Sequence, residues 1–118
     1  MNDDTGDQAR TAPPVARLWR GSTKTGDADH YLEYLRATGL AGYACTAGHR
    51  ETITLRRMHD GRAEFLLLSL WDSMDAVRAF AGADLERAIF YPEDERYLVE
   101  RDERVTHFEV VDHHKGTT

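Results

Sequence analysis

Apolar and polar positions change their spacing several times along the chain, and each change marks an element. Val15 to Ser22 alternates, with Val15 and Trp19 on one side and Ala16 and Leu18 on the other, the period of a strand. Gly26-Asp27 then opens a helix, where the Asp27 carboxylate is placed to accept a free backbone N–H. Ala28, Tyr31, Leu32 and Leu35 follow at i, i+3, i+4 and i+7, one apolar stripe. Gly39 is expected to end this helix, and a loop with Gly42 and Gly48 to follow. Glu51 to Met58 alternates again, with Ile53, Leu55 and Arg57 opposite Thr52, Thr54, Arg56 and Met58. Asp60-Gly61 supplies the positive φ that a two-residue hairpin turn needs. Arg62 to Trp71 is almost continuously apolar, which predicts a central strand buried on both faces. Asp72 or Ser73 caps a second helix with a stripe of Met74, Val77, Phe80 and Ala81, closed by Gly82. Leu85 to Tyr91 keeps helical spacing through Ala88 and Ile89. Pro92-Glu-Asp-Glu then restarts a helix anchored by Tyr97 and Leu98. Val105 to Val111 is the last strand, with Val105, His107 and Glu109 opposite Thr106, Phe108 and Val110.

The order is β-α-β-β-α-β with an extra helical segment before the last strand. That is an α+β, ferredoxin-like plan: a four-stranded antiparallel sheet with helices on one face. Leu66, Leu68 and Leu70 fall on one side of the third strand, and Phe65, Leu67 and Trp71 on the other. Helices on a single side leave one apolar face uncovered, and such a face predicts a partner, here a second copy in a homodimer. The folded domain is expected over residues 15–112, with a disordered lead-in over 1–14 and a flexible tail over 113–118.

Composition narrows the function classes. With 118 residues and 41% apolar content there is material for one domain and one core. A net charge of -6 and a pI near 5.4 argue against nucleic acid. The mean hydropathy is -0.61, and no apolar run approaches the roughly 20 residues that span a bilayer. The start, Met1-Asn-Asp-Asp, lacks the features of a signal peptide, and a lone Cys45 suits a reducing compartment; a cytoplasmic protein is expected.

Leu18-Trp19-Arg20-Gly21, Glu64-Phe65 through Leu70-Trp71-Asp72-Ser73, and Ala79-Phe80-Ala81-Gly82 stand in order along the chain. Tyr91-Pro92-Glu93-Asp94, Tyr97-Leu98 and Val105-Thr106-His107-Phe108-Glu109-Val110 follow. In this order and spacing the chain resembles the antibiotic biosynthesis monooxygenase family of dimeric α/β-barrel proteins, over roughly residues 15 to 111. The resemblance implies either a cofactor-free oxygenase acting on a small aromatic or polycyclic compound, or a haem-degrading enzyme, or a member without a reaction. Trp71 matches the family's strand tryptophan. The family's asparagine has no counterpart, since Asn2 is the chain's only asparagine. The helix histidine of the haem-degrading branch is missing too, for Ser73 to Gly82 contains none.

Candidate chemistry follows from residue types. His107 has the side chain suited to proton transfer near neutrality, with an ordinary pKa of about 6.5, and is either a base in the pocket or a structural histidine. Tyr91 either donates its hydroxyl to a substrate oxygen or caps the helix entry. Trp71 and Phe80 are pocket wall or core. Arg20 orients an anionic substrate or makes a surface ion pair, and because Trp19 and Arg20 point to opposite faces only one of them joins a pocket. Tyr31 is expected in the core and His30 in solvent. No metal site is expected, because the six histidines show no ligand spacing, and no cofactor site, because the glycines do not stand at dinucleotide spacing. The expected function is therefore a cofactor-independent monooxygenase. The alternative is a non-catalytic small-ligand-binding or accessory homodimer of the same fold.

Overall fold

The computed structural model describes residues 13–117, and the lead-in expected over 1–14 lies outside them as far as residue 12. The elements are β1 (Val15–Lys24), α1 (Ala28–Ala37), α2 (Gly39–Ala44), β2 (His49–His59) and β3 (Arg62–Trp71). They continue with α3 (Met74–Ala81), α4 (Asp94–Tyr97), β4 (Leu98–Arg101) and β5 (Thr106–Glu109). All strand pairs are antiparallel, in the order β2-β3-β1 with β4 and β5 end to end along the free edge of β1. That is the ferredoxin-like sheet with its last strand broken in two.

Local chemistry explains most of the boundaries. Asp60 (φ 53°) and Gly61 (φ 73°) form the left-handed pair that joins β2 to β3 without splaying them. Ser73 caps α3, its Oγ accepting the Ala76 N–H at 3.3 Å, and Gly82 (φ 84°) ends it. Alternation along β3 is strict: Ala63, Phe65, Leu67, Ser69 and Trp71 are buried beneath the helices. Tyr31 and Leu35 of α1, Tyr43 of α2 and Val77 of α3 complete that core. His30 is exposed and Tyr31 buried, as expected.

Several expectations are corrected. The Asp27 carboxylate makes no cap bond, because the residue is already part of a tight 3-10 turn, Thr25–Asp27. Gly39 does not close α1. Thr38 does, and Gly39 begins α2, so the first part of the expected loop is a helix that delivers Tyr43 to the core, and only Cys45 to Gly48 is a turn. Leu85 to Tyr91 is not helical; its backbone is spent sideways, with Ala88 N–H on Glu103 O at 3.0 Å and Val105 N–H on Glu86 O at 2.7 Å. The helix restarted by Pro92 is one turn long, and Leu98 begins a strand that pairs with β1. β3 is central but buried on one face alone. Leu66, Leu68 and Leu70 are half-buried on the other, beside Ile53, Leu55 and Phe108, which are exposed.

Candidate functional site

Between the covered sheet face and the helices lies a cleft with about 410 Å³ of space between atoms. Six rings line it, Trp19, Tyr31, Tyr43, Phe80, Phe90 and Tyr91, with Leu35, Leu67 and Val105. The part open to the centre of a water molecule is only about 30 Å³, room for about two waters, so a larger guest must turn a ring aside. Two glycines decide which ring. A Cβ on Gly42 would stand 2.7 Å from the Tyr91 hydroxyl and 3.3 Å from Phe80, and one on Gly39 3.9 Å from Tyr91. Tyr91 thus lies along the bare side of α2. Trp19 reaches the cleft by folding over Gly21, and its Nε1 donates to Asp102 O at 2.9 Å.

Two charged side chains enter this apolar space. Arg17 is 1% exposed and faces the helices with Val15 and Trp19. Its Nη1 donates to Leu85 O at 2.8 Å and lies 3.0 Å from His107 Nε2, while Nη2 donates to Arg87 O at 3.1 Å. Nε is buried with no partner, and among the described residues no carboxylate pairs with this guanidinium. Burial lowers its pKa, the neighbouring Tyr43 hydroxyl opposes that effect, and arginine remains a cation at any ordinary pH. A buried cation without a counter-ion is costly unless something anionic completes it.

Asp94 is the second. It is 5% exposed and lines the cleft. Its Oδ2 accepts the Tyr91 N–H at 2.6 Å, which closes the Tyr91-Pro92 turn. Burial raises its pKa, opposed by the Tyr91 N–H, by Arg101 and by the Tyr31 hydroxyl. Burial likewise raises Tyr31, Tyr43 and Tyr91, which are therefore neutral hydrogen-bond donors at pH near 7.

The residues singled out from sequence are distributed unevenly around this cleft. Phe80 and Tyr91 line it. Trp71 is fully buried one layer behind, against Tyr43 at 5.8 Å and Phe80 at 5.9 Å, with its Nε1 on Ser69 Oγ at 2.9 Å. It shapes the wall without forming it. His107 faces the covered side but stands behind Arg17, opposite it in the β1–β5 register. Burial and the Arg17 charge lower its pKa, so it is neutral and its Nε2 lone pair is taken by Arg17. Arg20 belongs to the open face, 3.6 Å from Glu64, because strand alternation sends it away from Trp19. Arg17 and Asp94 were missed. The signal for Arg17 was an arginine at the inward parity of β1, between Val15 and Trp19; for Asp94 it was an acid three residues past Tyr91, able to fold back on the turn. No group of three or more metal-ligating side chains gathers among the described residues.

No family model matches the chain, and no curated protein does. Among solved structures it is similar to a candidate antibiotic biosynthesis monooxygenase from Bacillus cereus, with a TM-score of 0.63 and 13% identity, over 89% of this chain and 100% of that one. It is also similar to a haem-degrading protein from Mycobacterium tuberculosis, with a TM-score of 0.56 and 20% identity, over 89% and 99%. The chain therefore has the fold that its sequence pattern implied, shared with monooxygenase-like and haem-degrading proteins.

Proposed function

We propose that the cleft binds a flat, weakly acidic aromatic compound and oxygenates its anion with O2, without a bound cofactor. The observation that carries this reading is Arg17, a buried cation lacking a carboxylate in a cleft walled by rings. An aromatic oxyanion supplies both the missing charge and a flat body for those walls. Excluding water strengthens that contact and leaves the electron-rich ring to react with oxygen. The reaction balances without an outside reductant: a ring C–H becomes C=O as the phenol becomes a quinone, and the second oxygen atom leaves as water. In this reading Tyr91 covers the mouth, Phe80 and Trp71 shape the wall, and His107 holds Arg17 in position. Arg20, on the other sheet face, takes no part in the cleft.

Oxygen uptake with a panel of dihydroxynaphthalenes, matched by quinone absorbance, tests the reading. Arg17→Met is expected to lower kcat/KM by about 10- to 100-fold, the loss of one charge-assisted contact. Uptake equal to that of buffer with every compound sinks the enzyme. One observation favours a second reading, a non-catalytic binding dimer: the histidine suited to proton transfer has its lone pair on Arg17. Saturable tryptophan quenching without oxygen uptake would select it. A second copy of the chain is proposed to cover the open face. There Ile53, Leu68 and Leu18 lie side by side across three strands, flanked by an ion-paired edge of Arg20, Glu64 and Arg57.

A further inference from the structure

Arg17 and Asp94 share the cleft but not each other. Arg17 is held from β1 by Leu85 O, Arg87 O and His107, while Asp94 is held at the start of α4 by the Tyr91 N–H. They make no salt bridge, and neither is among the charges that shift the other's titration: Arg17 responds to Tyr43, Asp94 to Arg101. A cation and a carboxylate in contact would dominate one another. The cleft is therefore polar at two separate points, an acceptor at Asp94 and a donor at Arg17, and is otherwise lined largely by aromatic and aliphatic side chains. Asp94 also has capacity to spare, since an ionised carboxylate offers about four acceptor positions and the Tyr91 N–H and the Tyr31 hydroxyl use two.

We propose that Asp94 is the base of this cleft and that, with Arg17, it selects an aromatic compound bearing a hydroxyl conjugated to a carbonyl across the ring. The hydroxyl donates to Asp94 and the carbonyl oxygen accepts from Arg17. The O–H bond breaks, its proton passes to the Asp94 carboxylate, and its electron pair moves through the ring onto the oxygen at Arg17. Each charged side chain thereby does what the other cannot: one takes the proton, the other receives the charge. The raised pKa of Asp94 suits a proton acceptor better than an ordinary surface carboxylate does. The inference rests on the reading that the cleft takes an acidic aromatic, and it names the groups that discriminate among such compounds.

Binding tests it without any turnover. The probes are 4-hydroxyacetophenone, un-ionised at the assay pH, and a ring-fluorinated analogue already ionised at the same pH. Affinity is read from quenching of Trp19, which lines the cleft. Asp94→Asn should weaken the un-ionised probe by about 10-fold, through loss of a charge-assisted acceptor, yet tighten the ionised one, because a like charge has gone. A residue with a structural role alone would move both affinities the same way, and that result overturns the proposal. Equal affinity of the wild type for 3-hydroxyacetophenone, whose hydroxyl is not conjugated to its carbonyl, would overturn the selection of substrate. If neither probe quenches the wild type, the aromatic-anion reading falls and this proposal with it. Should Asp94→Asn fold poorly, Tyr31→Phe gives a second arm. The titratable and charged groups facing Asp94 are Tyr31 from α1, Tyr91 before α4 and Arg101 from β4. Removing the Tyr31 hydroxyl takes away a donor to the carboxylate, so binding of the un-ionised probe should be lost at a higher pH than in the wild type as pH falls. An unmoved pH profile counts against Asp94 as the acceptor.

Discussion

At the scale of single residues, the row Ser69, Arg17, His107 across β3, β1 and β5 concentrates the unusual chemistry of the molecule. Arg17 is a buried cation with no carboxylate partner among the described residues, and His107 accepts one of its N–H bonds only while neutral. Burial and the Arg17 cation depress the His107 pKa below its ordinary 6.5. The unfolded chain therefore takes up the proton first as pH falls, so this stability is full above the unfolded pKa and is lost as pH drops through the folded one. His49 is depressed by burial as well and shares the acid sensitivity. We expect the melting temperature to fall between about pH 7 and about pH 5, and to fall less in His107→Gln. Identical losses in the two proteins would exclude a role for this histidine. Trp71, the residue that marks the family resemblance, is by contrast packing. Its truncation to Ala should cost about 3–5 kcal/mol of stability, as for other buried aromatic truncations, and act on binding only through the wall it supports.

Among the elements, those set by local signals and those set by packing separate cleanly. The Asp60-Gly61 turn and the Ser73 cap could be read from residues, and Ser73→Ala should cost about 1 kcal/mol in a denaturant titration. A loss near zero would mean that the cap bond contributes nothing. α2 was not legible, because two glycines in six residues argue against a helix; burying Tyr43 outweighs that propensity. Those glycines have a use, since α2 presents a bare side to Tyr91. Gly42→Ala puts a methyl where the Tyr91 hydroxyl stands. It is expected to push Tyr91 off the cleft and speed ligand release in stopped-flow quenching while α2 stays folded. Unchanged release would show that Tyr91 is not the cover. The segment from Leu85 to Tyr91 misled for a related reason. Its apolar spacing is helical, but the Leu85 and Arg87 carbonyls are taken by Arg17, the Glu86 carbonyl by the Val105 N–H and the Ala88 N–H by Glu103 O, bonds made by residues far away in the chain.

For the molecule as a whole, the sheet is finished on one side only. The open face carries Ile53 at 43%, Leu55 at 46% and Phe108 at 53% exposure, beside the half-buried Leu66, Leu68 and Leu70, and an apolar face of this kind marks an interface. We expect a dimer by light scattering, and Leu68→Glu, on that face, to give monomers that keep the far-UV spectrum. A wild-type monomer would reject a second copy as the cover. The cleft lies on the opposite side of the sheet and is built by one chain, so the monomeric variant should still bind the aromatic probe. Among the described residues no helix is long and apolar enough to cross a membrane.

The underlying β-α-β-β-α-β plan, the register-setting hairpin, the capped helix and the unpartnered leucine face were contained in the sequence, because period and turn chemistry act between near neighbours. The make-up of the cleft was not. Which inward residue of β1 meets which carbonyl, whether His107 is free or engaged, and whether Asp94 turns inward are settled by contacts 68 to 90 positions apart for Arg17 and by burial for Asp94. Only the tertiary structure decided these, since the environment of a buried charge depends on which neighbours surround it, and those are fixed when the sheet and helices close around it.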